Sequence, residues 1–390
     1  MQVARFARRM GLCLALAVLL SVPAVAAPVR KPVPAQPAVP VVATIPQLLI
    51  DATTLQVLYA EDAGLPWHPA STTKLMTAYL TFAAIKAGRV SLDTPVKISQ
   101  HAWNQEPAKS GLDVGETVTL KDALYIMLVK SANDMAVAVA ETVGGDEKSF
   151  VAQMNTMAQQ MGLTATHYDN ANGLKSPGQI SSARDLAMLA LFVQRDYPQY
   201  MPIFSTQQVQ LGPHRLETSN GMLEHFAGMT GMKTGFICQS GLNIVATVNR
   251  DGRQLLAVVL GASSVRERNE LAAQLILRGL SGALKPTGQT VMQLKDVDAP
   301  PADISSLICG RGARAYIKQR EAAFPMGLRG QPSYLTDKIA GPAYVATDLG
   351  KVVDGVPLPR DRPGSQAPTV TAAATGDADA DPADSDQQGD

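Results

Sequence analysis

Ser71 and Lys74 stand three residues apart. On a helix that spacing puts a hydroxyl and an amine on one face, a turn apart. A serine hydroxyl attacks a carbonyl only when a base removes its proton, and a lysine is such a base once its amine is neutral. Burial or a neighbouring cation lowers a lysine pKa toward that condition. A helix start also aims backbone N–H groups at whatever the hydroxyl attacks. Two more groups follow along the chain. Ser131-Ala132-Asn133 offers a hydroxyl that can relay a proton and an amide that can hydrogen-bond the amide side of a substrate. Lys233-Thr234-Gly235 offers a cation and a hydroxyl for a carboxylate, and a glycine against which an extended peptide can lie as an added strand. Together they are equipped to open an amide or a strained lactam through a serine ester.

Taken singly, each group is weak. A Ser-x-x-Lys match is expected about once by chance in a chain of this length, and Ser and Asn populate ordinary turns. Order and separation carry the reading: Ser131 follows Ser71 by 60 positions, and Lys233 follows Ser131 by 102. Other chemistries lack their residues. His68, His101, His167, His214 and His225 show no H-E-x-x-H spacing and there is no C-x-x-C, so neither metal nor other cofactor is expected. The absence of G-x-S-x-G argues against an α/β-hydrolase.

The elements that would position these groups can be outlined. A helix should begin at or near Ser71. Thr119 followed by Asp122 marks a second helix start, with Leu120, Ala123, Leu124, Met127 and Leu128 as its apolar stripe. Another helix opens after Asn133-Asp134, which leaves Ser131 and Asn133 in a tight turn between two helices. Leu48-Leu49-Ile50 and Leu55 through Tyr59 flank Asp51-Ala52-Thr53-Thr54 as a hairpin. Asp251-Gly252 sits between the runs 241–248 and 255–260, the strongest short hairpin signal in the chain. Lys233-Thr234-Gly235 should begin or precede the first of those strands, and Glu267 through Leu280 forms a closing helix. The pattern is α+β, helices before and antiparallel strands after, with the first hairpin joining the same sheet.

The 390 residues are 46% apolar and 17% charged, with a formal net charge of zero, so no basic field points to nucleic acid. Arg5, Arg8 and Arg9, the apolar run 11–22 and Ala24-Val25-Ala26 read as a signal peptide over 1–26. The apolar run of about 12 residues is short against the roughly 20 that span a bilayer. Residues 27–46 are a proline-rich linker, 47–283 the catalytic domain, 284–365 a C-terminal extension with only scattered strand-like pieces, and 366–390 an acidic tail. No amphipathic helix that would anchor the C-terminus to a membrane is evident. Cys13 falls in the signal, leaving Cys238 and Cys309. In an oxidising compartment these either form a disulfide or stay as two buried thiols.

At its three motifs, and at Gly173-Leu174 and Ser181-Ser182-Ala183-Arg184-Asp185, the chain resembles the serine D-alanyl-D-alanine carboxypeptidases, the low-molecular-mass penicillin-binding proteins. The likeness runs from about Gln47 to Ala283. It implies a β-lactamase/transpeptidase-like fold, an antiparallel sheet flanked by helices plus an all-helical region, with a poorly structured C-terminal extension. It also implies that Ser71 is acylated, Lys74 is its base and Ser131 shuttles a proton. Asn133, Lys233, Thr234 and Gly235 would orient substrate, Arg268 would hold its terminal carboxylate, and the N–H groups of Ser71 and Phe236 would form the oxyanion hole. The partners implied are peptidoglycan stem peptides, with β-lactams as covalent inhibitors, in the periplasm. The expected reaction removes the terminal D-alanine of pentapeptides. A D,D-endopeptidase, a weak β-lactamase and a non-catalytic wall-binding protein are the alternatives. The turn reads Ser-Ala-Asn where class A β-lactamases have Ser-Asp-Asn, and no residue plainly serves as their deacylating glutamate, which disfavours a β-lactamase.

Overall fold

The computed structural model describes residues 44–351. The signal peptide, most of the proline-rich linker, Cys13 and the acidic tail lie outside the described residues. Among the latter, β1 (Gln47–Asp51) and β2 (Val57–Glu61) come first, and β3 (Pro95–Lys97) pairs with β4 (Thr117–Thr119) in a ribbon. β5 (Gln208–Leu211) and β6 (His214–Glu217) form a hairpin, followed by β7 (Met229–Ile237), β8 (Gly241–Arg250) and β9 (Arg253–Ala262). β10 (Ala343–Ala346) comes last and pairs in parallel with β5.

The main sheet has the order β2-β1-β9-β8-β7 and is antiparallel throughout. Its central strands are buried on both faces, so their sequences are near-continuous apolar runs rather than alternating ones. Along β9 the two-residue period still sorts the side chains. Leu255, Ala257 and Val259 join one core cluster, whereas Leu256, Val258 and Leu260 join the other. β7 ends the sheet, and Lys233-Thr234-Gly235 lies inside this strand, a separate one that precedes β8.

On one face lie α1 (Lys74–Lys86), α2 (Gln100–Trp103), α3 (Leu120–Val129), α4 (Asn133–Gly144), α5 (Glu147–Gln160), α6 (Ala183–Asp196) and α7 (Met201–Phe204), whereas α8 (Met222–His225) puts Met222 into the core of the opposite face. α1 packs against α3, α4, α5 and α6 and is buried nearly all round, which explains why its sequence shows no polar face. Thr119 caps α3 by accepting the N–H of Asp122, and Ser182 caps α6 by accepting that of Asp185. α9 (Val265–Leu280), capped by Ser264, covers the other face of the sheet with Leu271, Ala272, Leu275 and Ile276.

The C-terminal segment differs from the sequence expectation of scattered strand-like pieces. It holds α10 (Ser305–Ile308), α11 (Ala313–Ala323) and β10, and it runs across the catalytic unit as a strap. Asp296 meets Ser182 and Arg184, Ile304 donates its N–H to Gln239, Arg320 meets Glu267 on α9, and Tyr344 donates to Asp122 on α3. The strap has no apolar period because it buries few side chains of its own and is held by polar contacts. Cys238, after β7, and Cys309, after α10, are joined.

Candidate active site

Ser71 stands in a single tight turn, Ala70–Thr73, that leads directly into α1. Two features hold the turn. Asn243 on β8 donates to the carbonyls of His68 (2.9 Å) and Pro69 (3.1 Å), while its Oδ1 accepts the N–H of Gly261 (3.0 Å). Gly173 and Gly235 close in on it from either side. A Cβ on Gly173 would run into the Ala70 carbonyl, and one on Gly235 would lie 3.0 Å from the Ser71 amide. The glycine of the third motif thus lets β7 lie against the nucleophile turn. Ala70 and Ser131 both take positive φ, 51° and 64°. For residues other than glycine such conformations cost on the order of 1–3 kcal/mol and cluster at functional sites.

Lys74 Nζ lies 3.0 Å from Ser71 Oγ, 2.7 Å from Asn133 Oδ1 and 2.6 Å from the Asn172 carbonyl. Burial pushes its pKa well below the usual lysine range and Lys233 lowers it further, while Asp134 opposes the shift. A neutral amine has two N–H bonds and one lone pair. Asn133 and Asn172 are acceptors and claim the two N–H bonds, so the lone pair is left facing the serine hydroxyl.

Ser131 occupies the turn between α3 and α4, and Lys233 Nζ donates to its Oγ at 2.8 Å and to the Thr234 carbonyl at 3.0 Å. Burial, and then Arg268, bring the Lys233 pKa down to about 7, and burial brings that of Arg268 down to about 10. Thr234 Oγ1 is 2.7 Å from Ser219 Oγ. Arg268 donates to Asn269 Oδ1 at 2.9 Å and meets the Ser219 carbonyl at 3.5 Å. Among the described residues no carboxylate lies within 4 Å of Arg268. Phe236 stands half-exposed at the rim. Ser71, Ser131, Asn133, Thr234, Gly235 and Arg268 all line one cleft of about 380 Å³.

The structure therefore brings every sequence-predicted site residue to one place, at the junction of α1, the α3–α4 turn, β7 and α9. Asn133 is placed differently from the expectation. Its Oδ1 serves Lys74, and its Nδ2 donates to the Glu106 carbonyl (2.9 Å), so both ends of the amide are engaged in the free site. Sequence reasoning missed Asn172, Ser219 and Asn243. Asn172 acts through its backbone, which no side-chain pattern reports. Asn243 left a usable signal, a lone polar residue inside a strand run that is apolar on both sides.

A fold with a helical layer on an antiparallel sheet, and a lysine-served serine at their junction, defines the serine D,D-peptidase and penicillin-binding class. Residues 34–264 match the family model described as D-alanyl-D-alanine carboxypeptidase, and the chain belongs to that family. It is 34% identical to D-alanyl-D-alanine carboxypeptidase DacD of Salmonella typhimurium over 70% of this chain and 71% of that one. The corresponding DacD of Escherichia coli, also 34% identical, is matched over 60% of this chain and 62% of its own length. The chain thus spans 62% to 71% of the length of these relatives. Among solved structures it is similar to penicillin binding protein 6B of Escherichia coli, with TM-score 0.58 and 33% identity over 63% of this chain and 80% of that one. Within that family it is a serine peptidase.

Proposed function

We propose that the protein removes the terminal D-alanine from peptidoglycan stem pentapeptides through an acyl-enzyme on Ser71. The carrying observation is Lys74: its Nζ stands 3.0 Å from the serine hydroxyl, with acceptors on its other two sides. Ser71 Oγ attacks the penultimate D-alanine carbonyl and its proton passes to Lys74. The N–H groups of Ser71 and Phe236 hold the oxyanion, and the C–N bond then breaks. The leaving nitrogen takes a proton through Ser131, D-alanine departs, and water hydrolyses the ester with Lys74 again accepting a proton. Thr234, Lys233 and Arg268 grip the terminal carboxylate, and Asn133 orients the substrate amide after giving up its bond to Lys74. β-lactams acylate the same serine. The site works in the periplasm after cleavage of the leader. A wall-binding protein without catalysis would have no use for two buried lysines held at depressed pKa, whose burial carries a desolvation cost.

Incubation of the purified mature chain with a fluorescent penicillin, and separately with a D-Ala-D-Ala pentapeptide, tests the reading. Wild type should be labelled and should release D-alanine, and Ser71→Ala should do neither. Labelling that survives Ser71→Ala would remove the nucleophile assignment. Labelling of wild type without D-alanine release would remove the carboxypeptidase one.

A further inference from the structure

We infer that the C-terminal strap is part of the substrate-binding machinery, and that Arg320 is a positioning residue that sets Arg268 for the substrate carboxylate. The inference rests on the reading of Arg268 given above. The strap lies beyond the family match, which ends at residue 264. Arg268 sits in the first turn of α9, and the polar side chains on either side of it are held by the strap.

Glu267 is fully buried. One carboxylate oxygen accepts from Arg320 Nε at 2.8 Å, and the other accepts the N–H and the hydroxyl of Ser263, both at 2.8 Å. Glu270 is almost as buried, and its two oxygens accept the Ser333 hydroxyl and the Tyr334 N–H. Arg266 donates to the carbonyls of Phe324 and Met326. Gly327 takes a positive φ of 76° against Glu270, where a Cβ would collide with the carboxylate.

Buried carboxylates are costly unless they are paired and hydrogen-bonded. Positions 266, 267 and 270 thus have strap partners that fix the rotation and height of this helical turn. Among the described residues, Arg268 itself donates to Asn269 and to the Ser219 carbonyl, neither of which belongs to the strap. The disulfide at Cys309 fastens the strap beside the end of β7, on which Thr234 stands. One continuous segment therefore references both carboxylate-binding groups to each other.

The test uses two thioesters of an N-acyl-D-alanine that differ in one group: the thioglycolate ester, which presents a carboxylate on the leaving side, and its methyl ester, which does not. Arg320→Ala should raise the KM of the thioglycolate ester about tenfold, leave its kcat within about twofold, and leave the methyl ester unchanged, with Arg320→Lys recovering part of the loss. Ser333→Ala should show the same pattern more weakly. A double change of Arg320→Met with Glu267→Gln removes both buried charges, and provides a folded variant if Arg320→Ala unfolds. Equal loss on both esters, or loss on neither, would overturn the role of the strap. If wild type does not favour the thioglycolate ester and Arg268→Ala changes nothing, the carboxylate role of Arg268 falls, and this inference falls with it. A wild-type preference that survives every strap variant sinks the strap alone.

Discussion

A lysine held between two carbonyl oxygens and a serine hydroxyl is constrained in its protonation state. As an ammonium, Lys74 would be a buried cation with Lys233 as a further cationic neighbour. As an amine it fits all three neighbours. Lys74→Arg keeps a cation but supplies no base, and acylation by a labelled penicillin should fall by about 10²–10⁴-fold. Lys233 gives the pH dependence. Its folded pKa is about 7 against 10.5 for the ordinary group, so carboxylate binding should weaken as pH rises through about 7, while Arg268 keeps its charge to about 10. Stability moves the other way. Between about 7 and 10.5 the unfolded chain binds the proton that folded Lys233 has lost, so that contribution rises with pH. Acylation falling while the melting temperature climbs over the same interval is the expected signature, and Lys233→Met should flatten both. Ser219 joins Thr234 to Arg268, and Ser219→Ala should raise KM for carboxylate-bearing substrates by about threefold to tenfold, the effect of one lost hydrogen bond. The chemical side chains were legible because their types and spacing are few. Ser219 was not, since a serine in a loop looks the same whether it faces water or a partner.

At the scale of elements, the active site depends on how a helix start is held against a sheet edge. Asn243 does much of that work, with three hydrogen bonds made from inside β8. Asn243→Ala leaves two carbonyls and an N–H without their partner, and should lower stability by about 2–4 kcal/mol in denaturant titration, with slower acylation because the Ser71 turn is freed. Gly173→Ala should be at least as damaging to labelling, since its Cβ meets the Ala70 backbone and not a movable side chain. The two hairpins, the capped helix α3 and the closing helix could be read from turn residues, caps and apolar periods. The order β2-β1-β9-β8-β7 could not, because strand pairing at long separation leaves no local trace beyond the need to bury both faces.

Over the whole molecule, the strap is what the sequence concealed most. α11 carries one buried side chain, Tyr316, so its amphipathic signal is faint, and β10 is a four-residue strand known by its partner and not by its composition. Its hold on the catalytic unit is measurable. The Cys238–Cys309 link closes a loop with a sequence separation of 71. The chain-entropy account gives such a loop about 4 kcal/mol. Cys238→Ser should therefore lower the melting temperature by roughly 8–16 °C in a domain of this size, read in non-reducing buffer against wild type with and without dithiothreitol.

The parallel pairing of β10 with β5 has a practical bearing on protease experiments. A nick anywhere between Cys309 and Ala343 would leave one fragment end covalently bound and the other hydrogen-bonded into a sheet. Digested protein should consequently keep eluting as a single intact species from a sizing column, whereas a denaturing gel should separate the pieces even without reductant, because both cysteines stay on the N-terminal one.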